Sequence, residues 1–547
     1  MRNVECGMWI FTIFAAHNKY HFNMKTRFLL LFLLCSLFAK AQTIALSGLQ
    51  SGVWEADTVL ITGDVTIQDS LRILPGTTVL FNGYYSIKAE EGASIMALGT
   101  ETDSITFTVT DTTGFHLFNL GRGGWNGIRL QNAGLSRFEY CRLQYGKATF
   151  DDDQDGGALR ILNCDEVEVS HSTLFCNFSR EHGGALNAEW SNVVMHDCNV
   201  SNNLTYTGID TVYFMYGGGL RFINCEVELV DMAFRYNDGR SAIGGALSID
   251  SCSVNIDRCV FEHNHGINGA GLYMIRCYER PCNISNSLFA NNYSEHFGGG
   301  LAISDSSPEM NNLTVVDNYS YGVTCGGIFF YQHSSPIVRN CVIYGNEHYN
   351  SLNDPIQIWI WTYDDYVPEF HNCLIEFGLE NITGHENVQV YGNCLDENPL
   401  FVDPENENYR LSAESPCLNA GLTYDDDLTA LDLDKSWRVC NSGIDLGAYE
   451  YTATGIAEAK QDVNPVHIVG NPITDASYAE IELESECNLT ASVYSLDGKL
   501  LNSKHITNLE TGLNRIEVGE LFQGLVKGTY LITFSTTRQT IAAKVVL

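Results

Sequence analysis

Seven asparagines recur between residues 177 and 346 at spacings of 26, 34, 27, 28, 26 and 28 residues: Asn177, Asn203, Asn237, Asn264, Asn292, Asn318 and Asn346. Ahead of each stands a small-small-large unit, from Gly157-Ala158-Leu159 to Gly326-Gly327-Ile328. Eight residues before each asparagine is an apolar residue (Val169, Met195, Leu229, Ile256, Ile284, Met310, Val338). Three before it is another (Leu174, Val200, Phe234, Phe261, Phe289, Val315, Ile343). A period of this length marks a solenoid, propeller or array. The apolar runs are short, alternating and broken by Gly and Asn, which reads as strand, and none carries a helical period. Three short strands per coil, stacked in parallel, predict a β-solenoid with the repeated apolar residues as its core. Equivalent residues on neighbouring coils then lie ~4.8 Å apart. The asparagines are expected to form a ladder, each amide bonding the next, in a turn where left-handed backbone comes easily.

The repeat resembles the right-handed parallel β-helix superfamily that includes pectate lyases and many bacterial surface proteins. The resemblance spans roughly residues 55–450 and implies an all-β fold of about 12 coils between residues 55 and 380. It leaves activity open, because one scaffold hosts many functions.

The chain has 547 residues and a formal net charge of −35, from 31 Lys and Arg against 66 Asp and Glu. No basic patch emerges, which argues against nucleic acid as a partner. Acidity keeps an extended β protein soluble and suits cations. Cys141, Cys198, Cys259, Cys341 and Cys373 share one repeat position, and Cys164, Cys225, Cys252 and Cys277 share another. Stacked this way they are expected to serve as small core hydrophobes. Cys277 and Cys282 flank a four-residue insertion, Tyr278-Glu279-Arg280-Pro281, and either bridge it or join the core. Cys417 and Cys440 are a second candidate pair.

In chain order, residues 1–23 read as an upstream extension before a later start. Met24 to Ala41 has a basic n-region, an apolar h-region from Phe28 to Phe38 and an Ala39-Lys40-Ala41 cleavage site, the pattern of a signal peptide. That apolar run is too short to span a membrane, and nothing later is long enough. Residues 42–150 begin the solenoid with looser coils, and 151–394 hold the regular ones. Residues 395–451 resemble the closing segment of many secreted bacterial β-helices, ending in Asp445-Leu446-Gly447-Ala448-Tyr449-Glu450, and are expected to cover the last open coil. A small, polar linker follows at 452–462. Residues 463–547 read as a β-sandwich. The order Gly470-Asn471-Pro472, Val493-Tyr494-Ser495-Leu496-Asp497-Gly498-Lys499, Gly528-Thr529-Tyr530 and Lys544-Val545-Val546-Leu547 is similar to the type A C-terminal sorting domain of the type IX secretion system. That resemblance implies export across the outer membrane, with the secretion machinery as partner and an extracellular or surface location.

An enzyme on this scaffold needs outward-facing charges on adjacent coils, whether two carboxylates for hydrolysis or a base and a cation for a lyase. Alternation after each small-small-large unit turns Glu189, Arg221 and Asp250 outward on three successive coils, the best catalytic candidates. An ordinary salt-bridge ladder gives the same pattern. No complete hydrolase or lyase motif is present, and no cofactor is required. Asp151, Asp152, Asp153 and Asp155 place four carboxylates in five residues, a candidate Ca²⁺ cage without EF-hand spacing. Asp425-Asp426-Asp427 with Asp432 and Asp434 is a weaker one. Two aromatic insertions are expected, at Thr205–Tyr216 and at Trp359–Tyr366. The second carries Trp359, Trp361, Tyr363 and Tyr366 beside Asp364 and Asp365, and is the candidate site for an extracellular polysaccharide. Trp359 and Trp361 are two apart, so in a strand they share one face.

Overall fold

The computed structural model describes residues 42–547 except 118–119, 150–153, 208–214, 323, 350–355, 364, 424–429, 440–442, 452–465, 470–472, 475–476, 484–486, 496–499, 510 and 536–539. The signal-peptide residues and Asp151, Asp152 and Asp153 therefore lie outside the described residues, as do Asp364 and Cys440. The chain winds as a parallel β-helix in which each strand pairs in register with its equivalent one coil on. Three walls run the length of the tube. Wall 1 includes Leu159–Leu162, Leu186–Glu189 and their successors to Ile358–Thr362 and Ile382–Thr383. Wall 2 includes Val167–Ser170 to Glu369–His371, and wall 3 Thr173–Phe175 to Leu374–Ile375. The first coils are drawn from the long strands Thr43–Trp54 and Thr58–Ile73, each of which serves all three walls. Each wall holds thirteen rungs between residues 43 and 392, about 58 Å at the usual interstrand spacing; the first, Thr43–Trp54, precedes the span in which about 12 were expected. A fourth ladder of shorter strands, most of two residues, from Lys147–Ala148 to Glu347–His348, was not anticipated from the three-strand reading.

The corners explain the sequence between strands. In one coil the chain turns at Gly183, Trp190, Asp197 and Asn202, all with positive φ. At Gly183 an added Cβ would lie 2.0 Å from the Leu186 carbonyl oxygen, and at Gly184 one would lie 2.1 Å from that of Gly218 on the next coil. The small-small-large unit thus packs coil against coil, then sends Leu186 into the core.

The asparagine ladder forms, with one difference from expectation. Positive φ falls on the residue before each asparagine, as at Asn202, Tyr236 and His263, and not on the ladder residue. All seven asparagines are buried. Asn264 shows the pattern. Its Oδ1 accepts the backbone N–H and the side-chain Nδ2 of Asn237, each at 3.0 Å. Its Nδ2 donates to the Phe234 carbonyl at 2.9 Å and to Asn292 Oδ1 at 3.0 Å. Two lone pairs and two hydrogens are all used. Gly146 N–H opens the ladder on Asn177. Gln357 ends it, accepting from Asn346 and passing its own Nε2 hydrogens to the Asn346 carbonyl and to Glu376 Oε2.

Among the described residues, fourteen cysteines are free thiols. Cys198, Cys259, Cys341 and Cys373 are buried in one column and point at carbonyl oxygens of the preceding coil. Cys277 and Cys282 are both free and buried, so the insertion between them is not bridged. Cys417 is likewise a buried free thiol.

Residues 395–451 do not cap the last coil. The described part of this segment runs back along the outer face of wall 3 and buries Leu288, Ala290, Val316, Val342 and Leu374 under Tyr409, Leu411, Leu446, Ala448 and Tyr449. The end of the core is packed by Leu379, Val388, Tyr391 and Cys394 of the final irregular coil. The closing motif fastens the segment down. Asp445 accepts the N–H groups of Asn419 and Tyr451, and Ala448 N–H donates to Thr314. Arg438, fully buried, donates to Asn286 Oδ1 at 2.7 Å and to Glu450 Oε1 at 2.9 Å. The aspartates read as a weaker cation cluster are used here: Asp432 accepts from Ser436 and Glu450 N–H, and Asp434 pairs with Arg410. The rest of that cluster, Asp425 to Asp427, lies outside the described residues.

The C-terminal part is a sandwich of antiparallel sheets with its own core. One sheet holds Val466–Val469, Tyr478–Leu483 and Gly512–Glu517; the other holds Cys487–Tyr494, Leu500–Leu509, Thr529–Ser535 and Thr540–Val546. Ile481, Val493, Ile516, Phe522, Ile532 and Phe534 meet between them.

Replacing Asn264 by Leu strands the two Asn237 donors and deprives Asn292 Oδ1 and the Phe234 carbonyl of a partner. The expected loss is roughly 2–6 kcal/mol, at about 1–3 kcal/mol for each of the two stranded donors, read from the shift in urea midpoint.

Candidate functional site

Strict alternation sends every second residue of wall 1 outward, in two columns. One column reads Arg160, Asn187, Arg221, Ser248, Tyr273, Ala302, Phe329, Trp359. The other reads Leu162, Glu189, Ile223, Asp250, Ile275, Ser304, Tyr331, Trp361. Outward does not mean exposed: Asn187, Arg221, Ser248, Asp250, Ala302 and Phe329 are buried. The corner that leads into wall 1 stands beside the first column. Its residues include Asp155, His182, Tyr216, Ile243, Asn268 and Phe297, joined in part by parallel bridges between coils. Corner and wall meet in a seam that is closed over Asn187, Arg221 and Ser248 and opens as a groove at Ala302 and Ser304.

The expected trio divides. Arg221 lies 3.8 Å from Glu189 and donates to Asn187 Oδ1 at 3.3 Å. Asp250 is bound by both arms of Arg276 and by Ser251, which makes it half of a salt bridge. In its place the fold brings Asp155, Glu181 and His182 to Arg221 and Glu189. One ligand atom from each of Asp155, Glu181 and His182 lies within 4.8 Å of the others. His182 Nδ1 accepts the Tyr216 N–H at 3.2 Å, which puts the ring hydrogen of the neutral form on Nε2. Burial and the Arg221 charge push His182 down to about 3, so the ring is neutral at ordinary pH. Burial raises Asp155 to about 6, with Glu181 and Glu189 adding to the rise and Arg160 and Arg221 opposing it. A carboxyl and an imidazole perturbed in opposite directions within one cleft mark a functional candidate. The two arginines beside Asp155 disfavour a cation there, and the other three aspartates of the Ca²⁺ candidate are not described.

Three rungs further on, about 14 Å along the axis, the groove turns aromatic. Ala302 and Ser304 are small and share one rung. Tyr273 stands before them, Phe329 and Tyr331 behind, with Phe297 on the rim and Trp361 one rung later. These residues line a hollow of about 160 Å³. Phe297 stacks on Phe329 at 5.0 Å, and Trp361 meets Tyr331 edge-on at 5.7 Å.

The segment from Ile358 to Thr362 is not an insertion. It is a rung of wall 1, with Ile358 and Ile360 in the core and both tryptophans outside. Trp361 is 59% exposed; Trp359 is half-buried against the Phe329 cluster. Tyr363 and Tyr366 sit beyond the wall on His333, away from the hollow's lining, and Asp365 is exposed. Sequence reasoning took aromatics segment by segment and so missed Tyr273, Phe297, Phe329 and Tyr331 as a set. The signal was in the columns.

A family model described as a right-handed β-helix region matches residues 244–407. With the parallel three-walled tube, this match identifies the fold as a right-handed parallel β-helix. No curated protein matches the sequence.

Asp155 gives a pH test. Its pKa in the folded chain lies above the unfolded one, so its contribution to stability is fully present below about pH 4 and lost as pH rises through about 6. Wild type should lose about 2 kcal/mol relative to Asp155→Asn across that window, measured by urea unfolding at stepped pH.

Proposed function

We propose that the wall 1 groove binds an extended polysaccharide, and that this protein acts outside the cell. The hollow at Ala302 and Ser304 carries the reading. It is floored by small residues, walled by aromatic rings and open at an exposed indole. Sugar rings pair an apolar face with equatorial hydroxyls, and flat aromatic surfaces with polar rims suit them. Tyr273, Ala302, Phe329 and Trp361 stand on four successive rungs, so a chain lying across them would run along the tube axis. Trp361→Ala should weaken glycan binding about tenfold while shifting the melting temperature little, because the indole is mostly exposed. A glycan array and thermal melts on the same variant check this; a large drop in melting temperature with unchanged binding would remove the site.

A second reading, depolymerisation, is favoured by Asp155 and His182. A carboxyl poised near pH 6 can hold a proton for a leaving group, and Glu189 or Glu181 supplies a second carboxylate. Product release that disappears in Asp155→Asn, with binding retained, would identify it.

The C-terminal sandwich supports export by the type IX system, through its motif order and its separate core. Deleting residues 463–547 should trap the protein in the periplasm with the β-helix folded. Surface delivery of the truncated chain, followed by protease accessibility on intact cells, would refute the assignment.

A further inference from the structure

Far from the groove, on the corner between walls 2 and 3, three side chains from adjacent coils converge on one point. His171 occupies the corner of one coil; His196 and Asp197 occupy the end of wall 2 and the corner of the next. His196 Nδ1 is 3.4 Å from Asp197 Oδ2, and His171 Nδ1 is 3.8 Å from the same oxygen. One ligand atom of each residue lies within 4.8 Å of the other two. We propose that His171, His196 and Asp197 form a binding site for a divalent transition-metal ion, Zn²⁺ foremost.

Zinc binds imidazole nitrogen at ~2.0–2.1 Å and carboxylate oxygen at ~2.0–2.2 Å in a tetrahedron, which sets nitrogen-to-oxygen edges of roughly 3.4 Å. The His196 separation, a long hydrogen bond, equals that edge, and the His171 separation exceeds it by a few tenths of an ångström. Two imidazoles and one carboxylate select a borderline ion over Ca²⁺ or Mg²⁺, which take oxygen.

The surroundings hold the three groups in place as they do around known sites. His196 Nε2 faces Glu168 Oε1 at 3.6 Å, and Arg137 fixes Glu168 Oε2 at 2.8 Å. A carboxylate behind a ligating imidazole orients the ring and raises its basicity. The His171 ring is stacked on Tyr140, with centroids 4.6 Å apart and planes within 14°. Lys435 of the returning segment takes the other oxygen of Asp197 at 3.2 Å, leaving Oδ2 to the imidazoles. Each of the three side chains is about one-third exposed, so an ion has a way in and a fourth position opens to water. The ion would tie two coils together beside the returning segment.

Tag-free, full-length exported protein, stripped with chelator, is titrated with Zn²⁺ by calorimetry and with Co²⁺ by visible absorption. The expected result is one saturable site per chain with a Co²⁺ ligand-field band. His171→Ala and His196→Ala should each weaken it at least about tenfold, and His182→Ala in the groove should leave it unchanged. The Co²⁺ band of the wild type carries the test even if a variant fails to fold. No saturable site in the wild type, or histidine variants that bind as the wild type does, overturns the proposal.

Discussion

A carboxamide inside an apolar tube is costly unless every donor and acceptor is used, and that condition governs this fold. Each ladder asparagine meets it only when the coils before and after stand in one register. A slip of one residue would leave buried amides unpaired in a row, at about 1–3 kcal/mol each. The ladder therefore does more than hold coils together. It fixes which residues of successive coils become neighbours, and so creates the columns from which the groove, the thiol stack and the corner histidines arise.

The tube's faces are treated differently. Wall 3 becomes largely apolar on its outer side at Leu288, Ala290, Val316, Val342 and Leu374, and the returning segment covers it. Each large side chain hidden there is worth roughly 1.5–3 kcal/mol. Wall 1 is buried in part by its own corner residues and opens where Ala302 and Ser304 leave room. A solenoid that seals one flank and leaves another grooved has an orientation towards whatever it meets, set by side chains and not by the backbone, which is nearly uniform.

The fold was legible because its determinants repeat. Asparagine and leucine positions, inward cysteines and the outward direction of Glu189 and Arg221 all follow from alternation and period, whereas Trp359 and Trp361, read as part of an insertion, turned out to sit on a regular rung. What escaped was non-periodic. Asp155 and His182 lie in corners of unequal length, so their meeting with Arg221 depends on loop paths that no spacing encodes. Gln357 replaces an asparagine at a position in the glycine column of the repeat, and only the folded register shows that its longer side chain reaches the ladder. The course of residues 395–451 did leave a trace. The wall 3 strands lose their polar outer residues, from Asn199 and Ser201 to Leu288, Ala290, Val316 and Val342, and a strand apolar on both faces must be covered on both.

The ladder also has a direction. Every side-chain amide hands its hydrogen to the next coil and takes one from the coil before, so the amide dipoles point the same way along the tube. Their positive end arrives at Gln357, and there the last hydrogen meets Glu376. An ionised carboxylate accepts and has nothing to pass on, and its charge suits the positive end of a dipole stack. The array is thus closed by a chemical full stop. A further asparagine coil spliced in after Gln357 would find no donor waiting for it, while one inserted among Asn203 to Asn318 would be read as another repeat, so the molecule can lengthen from its middle but not from this end.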